Sequence, residues 1–173
     1  MVMKSMENAY SLKGKNAIVT GGNKGIGLGI VTAFAGQGAN VAILARDEAA
    51  ATDVIKDLSG KYDGKFSFYK TDISDMQNCK ESVDRYIADH KTVDILVNNA
   101  GIAVSGNLLD MDPDLSSWFH CFDVDLHGAA RMCYVVGSYM RDLGRGGRII
   151  NITSMYGSMC SKPSTLSYST AKA

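Results

Sequence analysis

Thr20-Gly21-Gly22-Asn23-Lys24-Gly25-Ile26-Gly27 is the stretch on which the fold turns. An apolar run at 16–20 precedes it and reads as a buried strand. Ile30, Val31 and Phe34 follow at helical spacing within 28–37. Strand, glycine turn and helix, in that order, aim backbone N–H groups and a helix N-terminus at one place, which is the geometry that holds a phosphate. A Cβ at the glycines would block a pyrophosphate or the turn itself. The spacing is G-x-x-x-G-x-G rather than G-x-G-x-x-G, so the turn alone leaves a glycine loop without a ligand as an alternative.

Outward from this turn the same alternation repeats. Apolar runs at 41–45, 66–71, 93–97 and 148–152 read as four more strands. Helical patterns lie between them, from Arg46-Asp47-Glu48 to Leu58, from Ser74-Asp75 to His90, and over 115–143 with a break near Gly128. Another helix begins near Ser164. The strands lack polar alternation, so both faces of the sheet are expected to be covered. The prediction is an α/β, Rossmann-like, doubly wound parallel sheet of order 3-2-1-4-5. Residues 1–11 are expected to be a flexible lead and 12–173 a nucleotide-binding domain.

Composition narrows the partners. Lys plus Arg and Asp plus Glu both number 18, a balance that gives no support to a nucleic-acid partner. No apolar run approaches the ~18 residues of a membrane span, and the first ten residues lack the apolar core of a secretory signal. Cys79, Cys121, Cys133 and Cys160 form no C-x-x-C pair, and His90, His120 and His127 have no metal-like spacing. Reduced thiols, a cytoplasmic location and no metal site are expected.

In an open parallel sheet ligands sit beyond the carboxyl ends of the strands. Gly21, Arg46, Asp72, Asn98 and Ser154 all fall at such ends. Further on, Tyr168 and Lys172 stand at i and i+4, on one face of a helix. A free phenol ionises near about pH 10, too high for proton exchange at neutral pH. A neighbouring ammonium favours the phenolate and makes the tyrosine a usable acid or base. A lone Y-x-x-x-K carries little, and a lone Ser154 reads equally as a turn serine; together with the glycine turn they gain meaning.

These motifs resemble the short-chain dehydrogenase/reductase family. Thr20 to Gly27 resembles its T-G-x-x-x-G-I-G motif, Asn98 to Gly101 its N-N-A-G, Ser154 in Ser-Met-Tyr-Gly its serine, and Tyr168 with Lys172 its Y-x-x-x-K. All four occur in the family order, across the chain from about Leu12. The resemblance implies hydride transfer between a nicotinamide cofactor and a secondary alcohol or ketone. Tyr168 would be the general acid or base, Lys172 its charged neighbour and a ribose ligand, and Ser154 the group that steadies the substrate oxygen. Asp72 and Ile73 would flank the adenine, with Asn98, Ala100 and Gly101 at the adenosine-side ribose. Tyr156 competes for the tyrosine role, but Cys160 stands where its lysine is needed.

Two departures stand out. Asp125 occupies the position of a family asparagine that supports a water relay to the lysine largely through its backbone. The change is tolerable on that reading, and blunts the lysine if the carboxylate pairs with it. The chain also ends one residue after Lys172, so an N-terminal portion of a longer, homo-oligomeric enzyme is expected, lacking the last strands of the family fold.

For the cofactor, an acidic residue at the end of the second strand would accept the ribose hydroxyls. Ala45 stands there, followed by Arg46, with Lys24 in the glycine turn. Two cations favour NADP over NAD, with Asp47 read as a helix cap. The cofactor-binding set is then Gly21, Asn23, Lys24, Gly25, Ile26, Gly27, Arg46, Asp72, Ile73, Asn98, Ala100, Gly101, Tyr168 and Lys172. The catalytic set is Ser154, Tyr168, Lys172 and Asp125. Sugars, polyols, 3-ketoacyl thioesters and steroids all fit as substrates; Met155 and Met159 beside the serine hint at a partly apolar pocket, and small polar carbonyls such as keto-sugars are favoured. The alternative is a catalytically silent nucleotide-binding protein or inactive fragment of the same fold.

Overall fold

A computed structural model describes residues 10–104, 106–159 and 165–173. Five strands form one sheet: β1 (Asn16–Thr20), β2 (Asn40–Ala45), β3 (Phe66–Lys70), β4 (Ile95–Asn98) and β5 (Arg148–Asn151). The order is β3-β2-β1-β4-β5, with every neighbouring pair parallel. The helices are α1 (Gly25–Gly36), α2 (Glu48–Ser59), α3 (Met76–His90), α4 (Ser116–Phe122), α5 (Ala129–Asp142) and α6 (Leu166–Ala171). Short 3₁₀ turns occupy Leu108–Asp110 and Met155–Gly157.

Alternate residues of each central strand go to opposite faces, which makes two cores. Ile18, Leu44 and Leu96 pack with Val83 and Tyr86 of α3 and Met132 and Val136 of α5. Val19, Ile43 and Val97 pack with Val31 and Ala35 of α1 and Ala51 and Leu58 of α2. Both faces of β1, β2 and β4 are thereby dry, which is why these strands are written as unbroken apolar runs.

The expected break near Gly128 is a π-helical turn, Asp123–Gly128, that joins α4 to α5. The fifth strand corrects the expectation of cover on both faces. All four of its residues are exposed, with Ile149 at 40% and Ile150 at 42%. Among the described residues it pairs only with β4, so its apolar sequence marks a surface able to be buried and not one that is. The lead lies outside the described residues up to residue 9, as do Cys160 and Ser164; Leu12 is tied down by its N–H, which donates to the Gln37 carbonyl. Among the described residues, Cys79, Cys121 and Cys133 are free thiols, no cluster could hold a metal, and no helix is long and apolar enough to cross a membrane.

Candidate active site

A cleft of about 530 Å³ opens at the carboxyl ends of β1 to β4. Gly21, Asn23, Lys24, Ile26 and Gly27 line one side, Arg46 follows β2, Asp72 and Ile73 follow β3, and Ala100 and Gly101 follow β4. Gly25 opens α1 with φ of 55° and is not part of the lining. The glycine turn is closed by contact between backbones. A Cβ on Gly27 would lie 2.2 Å from the Gly21 carbonyl oxygen and 2.5 Å from Asn99 Nδ2. The N-terminus of α1 carries no acidic residue in its first turn and no side-chain cap, so its free N–H groups and partial positive charge remain available to an anion.

Two residues fasten this turn to the loop after β4. The Thr20 hydroxyl, 1% exposed as a residue, accepts the N–H groups of Asn99 and Ala100, both at 3.0 Å. Asn99 Nδ2 donates to the carbonyls of Thr20 (2.9 Å) and Gly21 (3.2 Å). The ribose-side asparagine expected from the sequence was Asn98, and the geometry differs. Asn98 is buried and its amide donates to Asn151 Oδ1 at 2.8 Å, beside Cys133 and the Ala129 carbonyl, while Asn99 lines the cleft. Asn99 was legible as the second member of the Asn-Asn doublet.

At the far end of the cleft, Arg46 is exposed and Asp47 Oδ1 accepts from Ala50 N at 3.1 Å, which commits Asp47 to capping α2. Burial pushes the Asp72 carboxyl up. Hydrogen bonds from Ser74 N (3.0 Å) and Ser74 Oγ (2.6 Å), with Arg46 and His120 nearby, outweigh this and hold it below the usual carboxylate range.

Ser154, Tyr168 and Lys172 lie outside the cleft lining, with Lys172 beside the lining residue Gly101. Ser154 Oγ accepts from Tyr156 N at 3.2 Å and so caps the Met155–Gly157 turn, leaving its proton free to donate elsewhere. That turn lies against the end of α6, since a Cβ on Gly157 would fall 2.1 Å from the Lys172 carbonyl oxygen. Lys172 Nζ stands 5.9 Å from the centroid of the half-buried Tyr168 ring. It is also 3.3 Å from Asp125 Oδ2, with the lysine side chain 9% exposed and the aspartate side chain fully buried. Asp125 Oδ1 accepts from Ile102 N at 2.7 Å. Oδ2 has no aligned hydrogen bond, so its contact with the ammonium is one of charge at close range. The pair rests on Gly101, where a Cβ would come 3.0 Å from Asp125 Oδ2 and 3.2 Å from Lys172 Nζ. Gly101 thus lines the cleft on one side and touches the lysine on the other.

The family model described as short chain dehydrogenase matches residues 15–173. A 3-oxoacyl-[acyl-carrier-protein] reductase FabG of Chlamydia muridarum is 38% identical over 162 residues, covering 94% of this chain and 64% of that protein. An NADP-dependent mannitol dehydrogenase of Hypocrea jecorina is 32% identical over 169 residues, covering 95% and 62%. Among solved structures, a short-chain type dehydrogenase/reductase from Mycobacterium marinum superposes with a TM-score of 0.89 at 31% identity, covering 94% of this chain and 63% of that one. A gluconate 5-dehydrogenase from Burkholderia cenocepacia in complex with NADP and tartrate gives 0.87 at 28%, covering 96% and 64%. A short chain dehydrogenase/reductase from Burkholderia phymatum in complex with NAD gives 0.87 at 25%, covering 94% and 57%. The chain therefore spans less than two thirds of the length of these relatives.

Proposed function

The chain belongs to the short-chain dehydrogenase/reductase family, and from that premise we propose that it transfers a hydride between NADP(H) and a secondary alcohol or ketone. The observation that carries this reading is Gly101, which lines the cleft and where a Cβ would come 3.2 Å from the Lys172 ammonium. The cleft suits a dinucleotide: Gly21, Gly22 and Gly27 of its turn leave no space for a side chain, and the helix behind it has no side-chain cap over its first N–H groups. A bound nicotinamide would give or take the hydride. Tyr168 would give or take the proton at its hydroxyl, with Lys172 as its charged neighbour and the residue that would hold the ribose. The Ser154 hydroxyl donates to the substrate oxygen and holds charge as it develops.

Lys24 and Arg46 support NADP, because two cations at the adenosine end attract a 2′-phosphate while Asp47 is occupied as a cap. The mannitol dehydrogenase named for NADP and the gluconate dehydrogenase bound to NADP support the same choice, and the NAD-bound relative opposes it. Polyol and sugar-acid relatives support small polar carbonyls such as keto-sugars as substrates; the FabG relative supports 3-ketoacyl compounds. Homo-oligomeric assembly is part of the proposal, supported by the exposed Phe119, Leu126 and Tyr134, as is a cytoplasmic location. The Asp125–Lys172 pair favours a second reading, a nucleotide-binding protein without turnover.

One experiment tests both. NADPH and NADH oxidation is followed with a panel of ketones for the wild type and Tyr168→Phe. The expected result is turnover with NADPH above NADH and a loss of roughly 100-fold or more in the variant. A rate that Tyr168→Phe leaves unchanged removes the enzyme reading, and equal use of the two cofactors removes the roles of Lys24 and Arg46.

A further inference from the structure

We propose that the face of the sheet at the amino ends of its strands, opposite the cleft, docks on an anionic phospholipid bilayer. The chain is neutral as a whole, yet its charges are sorted between the two ends of the strands. Lys13, Lys15, Lys65, Lys91, Arg145 and Arg148 stand at the amino ends of β1, β3, β4 and β5, and all six are exposed. The segments that carry them hold two carboxylates, Asp63 and Asp94, and Asp94 lies 3.6 Å from Lys15. Among the described residues, none of the other five cations is in an ion pair. At the carboxyl ends the balance is reversed. The described loops there hold Asp47, Asp72, Asp75, Asp110, Asp112 and Asp114 against Lys24 and Arg46.

Hydrogen bonds set these cations in a line. Asn40 N donates to the Lys15 carbonyl (2.8 Å), Val41 N to that of Lys65 (2.9 Å), Asp94 N to that of Asn16 (2.8 Å) and Arg148 N to that of Asp94 (2.9 Å). A ladder through side chains repeats the row: Lys65 N donates to Asn40 Oδ1 at 2.9 Å, Asn40 Nδ2 to Asn16 Oδ1 at 2.8 Å, and Asn16 N to Asp94 Oδ2 at 2.9 Å. Strands lie about 4.8 Å apart, so Lys65, Lys15 and Arg148 recur on every second strand across about 20 Å. Cations spread along a line match a charged plane, whereas a phosphorylated or acidic peptide is gripped by a cluster. Apolar tips lie beside them: Tyr10, 71% exposed, precedes Lys13, and Leu143, 38% exposed, precedes Arg145. Aromatic and apolar side chains flanked by cations are the composition that enters the headgroup layer. A molecule with its charges so separated turns its basic end towards an anionic surface and its acidic end away. The cleft is at the acidic end and stays open to water when the basic face is docked.

The measurement is sedimentation of the chain with vesicles of phosphatidylcholine containing about 30% phosphatidylserine, beside vesicles of phosphatidylcholine alone. Binding is expected to the first and not to the second. It should be present at about 0.1 M salt and lost at about 1 M, where the screening length falls from about 10 Å to about 3 Å. Each cation close to an anionic leaflet strengthens binding roughly fivefold, so Arg145→Gln with Arg148→Gln should weaken it roughly 30-fold. Lys70 ends β3 and Lys80 lies in the first half of α3, both exposed and away from this face. Lys70→Gln with Lys80→Gln removes the same net charge and should change binding by about threefold or less. No sedimentation with the phosphatidylserine vesicles, or equal sedimentation with both kinds, overturns the inference. So does a loss from the Lys70 and Lys80 pair as large as that from the arginine pair. Tighter binding to polyglutamate than to the vesicles makes the partner an acidic polypeptide and overturns the bilayer. If the arginine pair does not fold, Lys13→Gln with Lys65→Gln must show the same loss or the inference fails. The readout involves neither cofactor nor turnover, so it stands or falls apart from the oxidoreductase reading.

Discussion

The two ends of the sheet are built by different means. At the nucleotide end, β1, β2 and β4 are buried on both faces, and the glycine turn is locked by the Gly21 carbonyl, the Thr20 hydroxyl and the Asn99 amide. At the catalytic end, β5 is exposed along its length and α6 has six residues, too few to be stable alone. α6 packs its buried Ser167 and Ala171 against α4, the Met155–Gly157 turn and the π-helical turn, with Asp125 on Lys172, Gly157 against the Lys172 carbonyl and a bridge from Gly106 to Thr165 among its contacts. The proposed cofactor cleft is made of backbone and core and is preformed. The proposed catalytic groups stand on a six-residue helix and a short turn and can be displaced without disturbing it.

A pair of glycine substitutions offers the largest effect. In Gly27→Ala the new Cβ would meet the Gly21 carbonyl oxygen, a backbone atom that cannot swing away, at 2.2 Å. NADPH binding is expected to fall by roughly 100-fold or more, with a stability loss of about 1–3 kcal/mol. In Gly157→Ala the Cβ would meet the Lys172 carbonyl at 2.1 Å and push the end of α6 away. Misplacement of that order costs turnover about 100-fold, while NADPH affinity by calorimetry stays within about tenfold. If Gly157→Ala loses cofactor as completely as Gly27→Ala, the two ends are one cooperative unit and the contrast collapses.

The same contrast governs what the sequence disclosed. Strands with both faces dry are written as apolar runs, so β1 was readable to the residue and the order 3-2-1-4-5 followed from the βαβ alternation. Asp47 was readable as a cap because Asp before a helix has a local reason to be there. The cover over β5 was not readable, because an apolar run records what a surface can bury and not what lies on it. Asn98 and Asn99 were indistinguishable for a related reason. Successive residues at a strand end point to opposite sides, so a shift of one residue decides which faces α5 and which faces the glycine turn. The aim of Asp125 depended on a π-helical turn, which has no periodic signature in sequence.

Thr20 stands where the two ends join, between β1 and the loop after β4, and its removal gives the next effect in size. Thr20→Val keeps the shape and deletes the acceptor for two partly buried N–H groups, those of Asn99 and Ala100. Each unsatisfied donor costs about 1–3 kcal/mol, so urea unfolding should show a loss of about 2–4 kcal/mol. Thr20→Ser retains the hydroxyl and should lose about 1 kcal/mol or less. A Thr20→Val protein as stable as the wild type would mean that the loop after β4 is held by other contacts.

The smallest expected effect lies at the β3 edge, opposite β5. His90, at the end of α3, meets Ser67 Oγ at 3.1 Å and stacks on Tyr86 with ring centroids 4.6 Å apart. Burial disfavours its charged form, and Lys65 adds to this, so its pKa is held below the ordinary 6.5 despite Asp89 nearby. The folded state therefore prefers the neutral ring. This contribution is complete above about pH 6.5 and is lost as pH falls through the lowered folded value. Carboxylates whose values are lowered, such as Asp72 and Asp123, give up theirs only below about pH 4, outside this window. Between pH 7.5 and 5.5 the urea midpoint of the wild type should fall by more than that of His90→Phe, which keeps a ring against Tyr86 but does not titrate. Hydrogen exchange locates the loss: amides of β3 and α3 should gain exchange at pH 5.5 after correction for the intrinsic rate, with α6 unchanged. Equal gains in α6 would show that acid loosens the catalytic end through the same sheet, and the independence argued for the two ends would fail.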